Sequence, residues 1–233
     1  SGMLSGDYHV IQDANGQFSV AGDMGVQNMT YERCPIGNIS TELVYLQKEN
    51  DAHAVEARLM MDDNEIGLLT GTYYNEGEGS LDATLQLEHL PLNIVNGFVP
   101  DQLCGLQGYG EGTLTIKGAL SRPEVNGEVL LSNSYLESIP YGVKLRFDDD
   151  PVRIQHSNLL FENFTVYAYN NNPLNVQGNV NFSDLERIMV NLRMQASNFQ
   201  IIGVKEHTKS VAYGKAFVNV FAMMNGPLDN INM

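Results

Sequence analysis

Apolar and polar residues alternate along most of this chain. In LDATLQLEHL, Leu81, Ala83, Leu85 and Leu87 alternate with Asp82, Thr84, Gln86 and Glu88. IMVNLRMQA sets Ile188, Val190, Leu192, Met194 and Ala196 against Met189, Asn191, Arg193 and Gln195. VKLRF sets Val143, Leu145 and Phe147 against Lys144 and Arg146. Successive side chains of a strand point to opposite faces. A period of two therefore predicts strands with one dry and one wet face, as in antiparallel sheets. Asp62-Asp63-Asn64, Asn170-Asn171-Asn172 and Asp148-Asp149-Asp150 fall between such runs and predict hairpin turns. Helical signal is confined to LPLNIVNGFV (90–99) and SNFQIIGV (197–204), each predicting a turn or two of helix in a connecting stretch.

The alternating pattern is written twice. YGEGTLTIKGALSRPEVNG begins at Tyr109 and YGKAFVNVFAMMNGPLDNINM at Tyr213, a shift of 104 that also carries Pro123 onto Pro227. Under that shift Leu114 falls on Val218, Ile116 on Val220 and Leu120 on Met224. Upstream the shift is 107, taking Gly71 to Gly178, Leu85 to Leu192 and Leu87 to Met194. Two copies result, 20–124 and 125–233, behind a leading strand and a cloning remnant (Ser1-Gly2) in 1–19. No Pro/Gly/Ser-rich linker separates the copies. The expectation is an all-β chain in which one antiparallel-rich sheet keeps adding strands, as in solenoids.

Composition narrows the classes. With 233 residues, 43% of them hydrophobic, the chain can bury a core. A net charge of −15, from 28 acids against 13 bases, disfavours nucleic acid and docking on anionic lipid by charge alone. No run approaches the ~18 apolar residues of a spanning helix. Cys34 and Cys104 match neither a CxxC pattern nor each other's place in the repeat, so they form a disulfide or stay two separate buried thiols. The five histidines have no metal-ligand spacing, and no metal or cofactor is expected.

Catalytic patterns are missing. The chain has no GxSxG, phosphate loop or HExxH, and no Ser/His/Asp grouping, so no enzyme is expected. Glu76, Glu78 and Asp82 in NEGEGSLD could in principle pair for glycoside hydrolysis, but a polar hairpin tip explains them more simply. The acids of FDDDPVR lack the ligand order of a calcium loop and read as a turn before a strand.

The segment LPLNIVNGFVPDQLCGLQGYGEGTLTIKGALSRPEVNGEVLLSNSYLE combines Leu-Pro-Leu, a Phe-x-Pro break and G-x-G-x-L-x-I-x-G-x-L-x-x-P-x-x-x-G. This order of landmarks resembles the TamB family of translocation and assembly proteins. NFQIIGVKEHTKSVAYGKAFVNVFAMMNGPLDNI is similar to the family's next unit, and the resemblance covers residues 55–230. It implies a taco-like curled sheet with an apolar groove, belonging to a periplasmic protein of Gram-negative bacteria anchored in the inner membrane. It also implies phospholipid, client β-strands or both as occupants of the groove, a role in outer-membrane protein assembly, and an outer-membrane barrel protein of the TamA/BamA type as partner. The family has no catalytic residues, so its functional feature is a face. The groove-lining residues expected here are Leu81, Leu85, Leu87, Leu114, Ile116, Ile188, Val190, Leu192, Met194, Val218 and Val220. Two other readings compete. A β-sandwich adhesion or glycan-binding module would call for exposed aromatic platforms, and the chain has no Trp. A hydrolase on a β-scaffold would need the constellation that is missing. An edge-to-edge dimer is expected from the open strand ends.

Overall fold

The computed structural model describes residues 2–31, 34–48, 51–98, 105–138, 143–148, 150–204 and 214–228. Cys104 and Tyr213 lie outside them, so the disulfide alternative and the second Tyr-Gly landmark are not seen. The described residues form one antiparallel sheet of fourteen strands. In chain order these are β1 (Met3–Gln12), β2 (Phe18–Tyr31), β3 (Cys34–Gln47), β4 (Ala52–Met61) and β5 (Asn64–Tyr74). Then come β6 (Ser80–Pro91), β7 (Leu106–Ala119), β8 (Glu124–Ser138), β9 (Val143–Phe147) and β10 (Val152–Gln155). β11 (Asn158–Tyr167), β12 (Leu174–Asn181), β13 (Met189–Val204) and β14 (Gly214–Pro227) complete the sheet. A 3-10 helix at Leu92–Phe98 is the helical segment of the described residues. Two separately bonded sheets, as a sandwich requires, do not form among them; every strand joins a single path.

Each strand pairs with the next in sequence, with one exception. β9 and β10 occupy the same rank between β8 and β11. β9 pairs Leu136 with Leu145 and Phe147 with Val166, while β10 pairs Val129 with Val152 and Ile154 with Leu159. β9 and β10 thus run in the same direction on one rank, where Asp148-Asp149-Asp150 predict a hairpin turn; Asp149 itself lies outside the described residues. Proline has no N–H for the ladder, which explains a break at Pro151. Asp148 turns inward from the break to accept hydrogen bonds from the hydroxyls of Thr165 and Tyr167. Tight turns elsewhere follow their chemistry. Asp62 and Asp63 take φ of 47° and 65°, and His156 and Ser157 take 48° and 57°. Two successive positive φ values are what a two-residue hairpin turn of type I′ demands.

The 90–99 stretch contains the expected short helix, whereas 197–204 does not. There β13 runs on to Val204, paired with β14. What interrupts the alternation is a bulge: the register slips between Ala196 and Phe199, where Asn198 has φ 51°. Similar slips occur at Val26/Met29, Leu87/Leu90, Gln107/Tyr109 and Phe161/Phe164. Asn28, His89, Asn133 and Asn163 hold the positive φ at or beside these slips. Asparagine tolerates that conformation better than other non-glycine residues. Neighbouring asparagines occupy the amides that the bulges free. Asn28 N–H donates to Asn38 Oδ1 at 2.9 Å, and Asn198 N–H donates to Asn219 Oδ1 at 2.9 Å. A bulge bends its strand and increases local twist, so this series bends the sheet along a band across it.

Buried clusters lie beyond the band. In the first half Ile36, Met61 and Ile66 pack with Leu90 and with Ile94 of the 3-10 helix. In the second half Ala168, Ala196 and Phe199 pack with Leu145, Leu174, Val218 and Val220.

Candidate functional site

On the other side of the bulge band, one face of the sheet is apolar from end to end. Its register can be followed strand by strand. Tyr8 pairs with Gly22, Gly22 with Leu43, Leu43 with Ala57, and Ala57 with Leu69. Leu69 pairs with Leu85, Leu85 with Leu114, Leu114 with Gly127, and Gly127 with Ile154. Ile154 pairs with Leu159, Leu159 with Val180, Val180 with Val190, and Val190 with Gly226. Every rank contributes one apolar or glycine residue. At ~4.8 Å between strands, such a row extends on the order of 55 Å along the sheet.

Adjacent rows repeat the composition. Gly67, Leu87, Gly112 and Val129 are successive partners on one side, and Phe161, Gly178, Leu192 and Met224 continue on the same side of the second half. Tyr45, Val55, Gly71, Ala83, Ile116 and Val125 run along the other side. None of these positions is Asp, Glu, Lys or Arg. The charges sit on the opposite face, where Asp82 pairs with Lys117 at 3.2 Å and Arg193 lies over the ring of Phe221 at 5.1 Å. Exposure follows the same division. Leu114 is 8% and Val190 3% exposed, whereas the intervening residues of both faces alternate between half-buried and exposed along β3, β13 and β14.

Ten of the eleven residues expected to line a groove lie on strands with this parity, and the eleven fall in four settings. Leu85, Leu114 and Val190 stand in the central row. Leu87, Leu192 and Ile116 flank it, with Met194 one position further, paired to Ala222. Leu81 pairs with Gly118 at the margin, and Ile188 precedes β13, its carbonyl accepting from Leu228 N–H at 2.8 Å. Val218 and Val220 differ: Val220 pairs with Ala196 and Val218 with Phe199, one on each side of the slip at Asn198, and both pack against the buried cluster of Ala168, Ala196 and Phe199.

Glycines explain how the rows approach so closely. A Cβ at Gly178 (φ 129°) would lie 2.0 Å from the Asn191 carbonyl oxygen, and one at Gly127 (φ 149°) would lie 2.2 Å from that of Thr113. Both positions demand a residue without a Cβ. These glycines, facing Leu192 and Leu114, were not among the residues the alternation singled out.

An aromatic group closes one margin. His53 is 4% exposed and stacks on Tyr45 at 5.2 Å between ring centroids, with Tyr73 at 6.2 Å. Burial pushes the Tyr45 phenol above its ordinary range, and nearby Tyr73 adds to the shift. His53 Nδ1 is buried with no hydrogen-bond partner among the described residues. Behind the bulges a cavity of about 820 Å³ opens between Glu65, Glu88, His89, Asn93, Tyr109 and Tyr135. His89 Nδ1 lies 2.6 Å from Glu111 Oε1 at its rim. Glu76 and Glu78 sit exposed in the β5–β6 connection. Among the described residues no group of His, Cys, Asp and Glu is arranged to hold a metal, and no helix is long and apolar enough to cross a membrane. Comparison with family models, with curated proteins and with solved structures found no match.

Proposed function

We propose that this chain is a segment of a TamB-like envelope protein whose apolar rows form a groove that shelters phospholipid acyl chains. In this reading the chain is non-catalytic and periplasmic. It lies between an inner-membrane anchor and an outer-membrane barrel partner of the TamA/BamA type, and serves lipid transport and outer-membrane protein assembly. The two copies along the sequence are one unit used twice to lengthen the groove. The order of strands supports this: β4, β5 and β6 recur about one repeat later as β11, β12 and β13.

The observation that carries the reading is the unbroken, uncharged row from Tyr8 to Gly226. Each methylene taken out of water gains about 0.8 kcal/mol, so a continuous apolar surface holds a chain without any specific contact. One leaflet of a bilayer is about 15 Å of hydrocarbon, half of its ~30 Å core. A row of ~55 Å exceeds one lipid and suits passage along the sheet.

Leu192 tests it. Its side chain lies between Gly178 and Met224 on the row side, while Arg193 points the other way. A photoreactive side chain at Leu192 should crosslink phospholipid in cells, and one at Arg193 should not. Leu192→Arg should leave the melting transition in place while abolishing the lipid adduct of a probe at Leu85. A collapsed melt together with no adduct at Leu192 would mean that the row is a closed core, since an unpaired buried charge is very costly.

A further inference from the structure

The cavity behind the bulges takes no part in the apolar row, and its lining has a chemistry of its own. It measures about 820 Å³, within the range of small-molecule sites. Met61 and Ile66, 6% and 2% exposed, give it an apolar floor. Its walls carry the carboxylates of Asp62, Glu65 and Glu88, and no Lys or Arg lines it among the described residues. Glu65 and Glu88 have no ion pair or side-chain hydrogen bond among those residues, while Asp62 Oδ1 accepts from Asn38 Nδ2 at 2.9 Å. Asn93 adds a further acceptor to the wall. Its Oδ1 is buried with no hydrogen-bond partner among the described residues, a costly state for a polar atom.

We propose that this cavity binds a linear aliphatic amine carrying two or more ammonium groups. A single metal ion does not suit it, because the acids do not converge on one point: among the described residues no group of three or more His, Cys, Asp and Glu is placed to hold one. They are spread across the sheet instead. Asp62 lies in the β4–β5 turn, Glu65 on β5 and Glu88 on β6, and Tyr109 follows on β7. At ~4.8 Å between neighbouring strands, β4 to β7 spans roughly 14 Å. Separate ammonium groups thus meet separate carboxylates, while the methylenes between them lie on Met61 and Ile66. The ring of Tyr109, 42% exposed, offers a face to an ammonium. Lys144 shows the same pairing nearby, its Nζ 3.6 Å from the centroid of the Tyr135 ring at a smaller neighbouring cavity. The ligand's N–H groups also bring the donor that Asn93 Oδ1 lacks. Cavity and row lie on opposite sides of the bulge band, so the amine site does not rest on what the row holds.

Calorimetric titration of the 233-residue chain with spermidine tests the site, with butylamine and Mg²⁺ for comparison. One spermidine should bind per chain, more tightly than either. Glu65→Gln/Glu88→Gln should weaken it about tenfold or more, and Tyr109→Leu about threefold. A net charge of −15 attracts any cation, so a matched control is needed. Glu76→Gln/Glu78→Gln removes the same charge from the exposed β5–β6 connection and should leave the affinity unchanged. The substituted side chains are exposed, so strand circular dichroism should match the parent in all three variants. Absence of saturable binding overturns the proposal. So does equal weakening by the two glutamine pairs, which would reduce the effect to net charge, or Mg²⁺ that binds as tightly as spermidine. A trilysine peptide that binds more tightly than spermidine overturns the free amine as the ligand.

Discussion

The first half of the sheet, β2 to β7, and the second, β8 to β14, solve the same problem with different parts. Both must end their apolar face at the bulge band. In the first half the chain leaves β6 after the bulge at His89 and lays the 3-10 helix over the end, so that Leu92 is 7% exposed and Ile94 packs on Ile36, Met61 and Ile66. In the second half no helix intervenes at this point among the described residues. β13 passes through its bulge at Asn198 and drives Phe199, 4% exposed, into the gap. One aromatic side chain there replaces a helical turn. The difference teaches that the strand set and the bulge are the shared framework, while the seal over its end is free to vary.

The seals should therefore differ in how much rests on one residue. Phe199→Ala empties the whole plug and should cost about 3–5 kcal/mol, whereas Ile94→Ala, at a half-buried site shared with Leu90, should cost about 2 kcal/mol. Urea denaturation of the two variants checks this, and equal losses would break the comparison. A smaller contrast concerns the glycines at matched positions. Gly178→Ala meets both a positive φ and a carbonyl 2.0 Å away, and should cost about 2–3 kcal/mol. Gly71→Ala meets the Asp82 carbonyl oxygen at 2.4 Å and no unusual φ, and should cost about 1–2 kcal/mol by the same measurement.

The smallest effect is a dependence on alkaline pH in the first half. Tyr45 and Tyr73 line its margin, and the residues one repeat later in sequence, Val152 and Val180, carry no titratable group. A phenol whose folded pKa is raised holds its proton more tightly in the folded chain. Its contribution is full below its ordinary value of 10.0 and declines as pH rises above it. Thermal melts should lose stability above pH 10 less steeply in Tyr45→Phe than in the parent. Identical slopes would remove the phenol from the account.

The faces of the strands were legible in the sequence because burial in a sheet has a period of two. Leu85, Leu114, Val190 and Leu192 stand on one face as the alternation requires. The bulges were harder to read. Leu87 and Leu90, or Ala196 and Phe199, are three residues apart, so a strict period of two ends the strand there and makes NFQIIGV look helical. The available signal was a polar residue followed by Asn or His at the slip: Gln27-Asn28, Glu88-His89, Ser132-Asn133, Glu162-Asn163 and Ser197-Asn198. The shared rank of β9 and β10 leaves no local trace, because it depends on what β8 and β11 do far along the chain. The slip that falls between Val220, opposite Ala196, and Val218, opposite Phe199, was hidden with the bulge.

That every strand but one pair joins its neighbour in sequence has a consequence for how the chain reaches this state. Contacts close over short loops, so each hairpin can form before the rest of the sheet exists, and the search cost does not grow with each strand added. Folding then spreads rank by rank from any hairpin, as in other repeating architectures. A chain emerging from one end, whether from a ribosome or across a membrane, can lay down its sheet in the order in which it arrives.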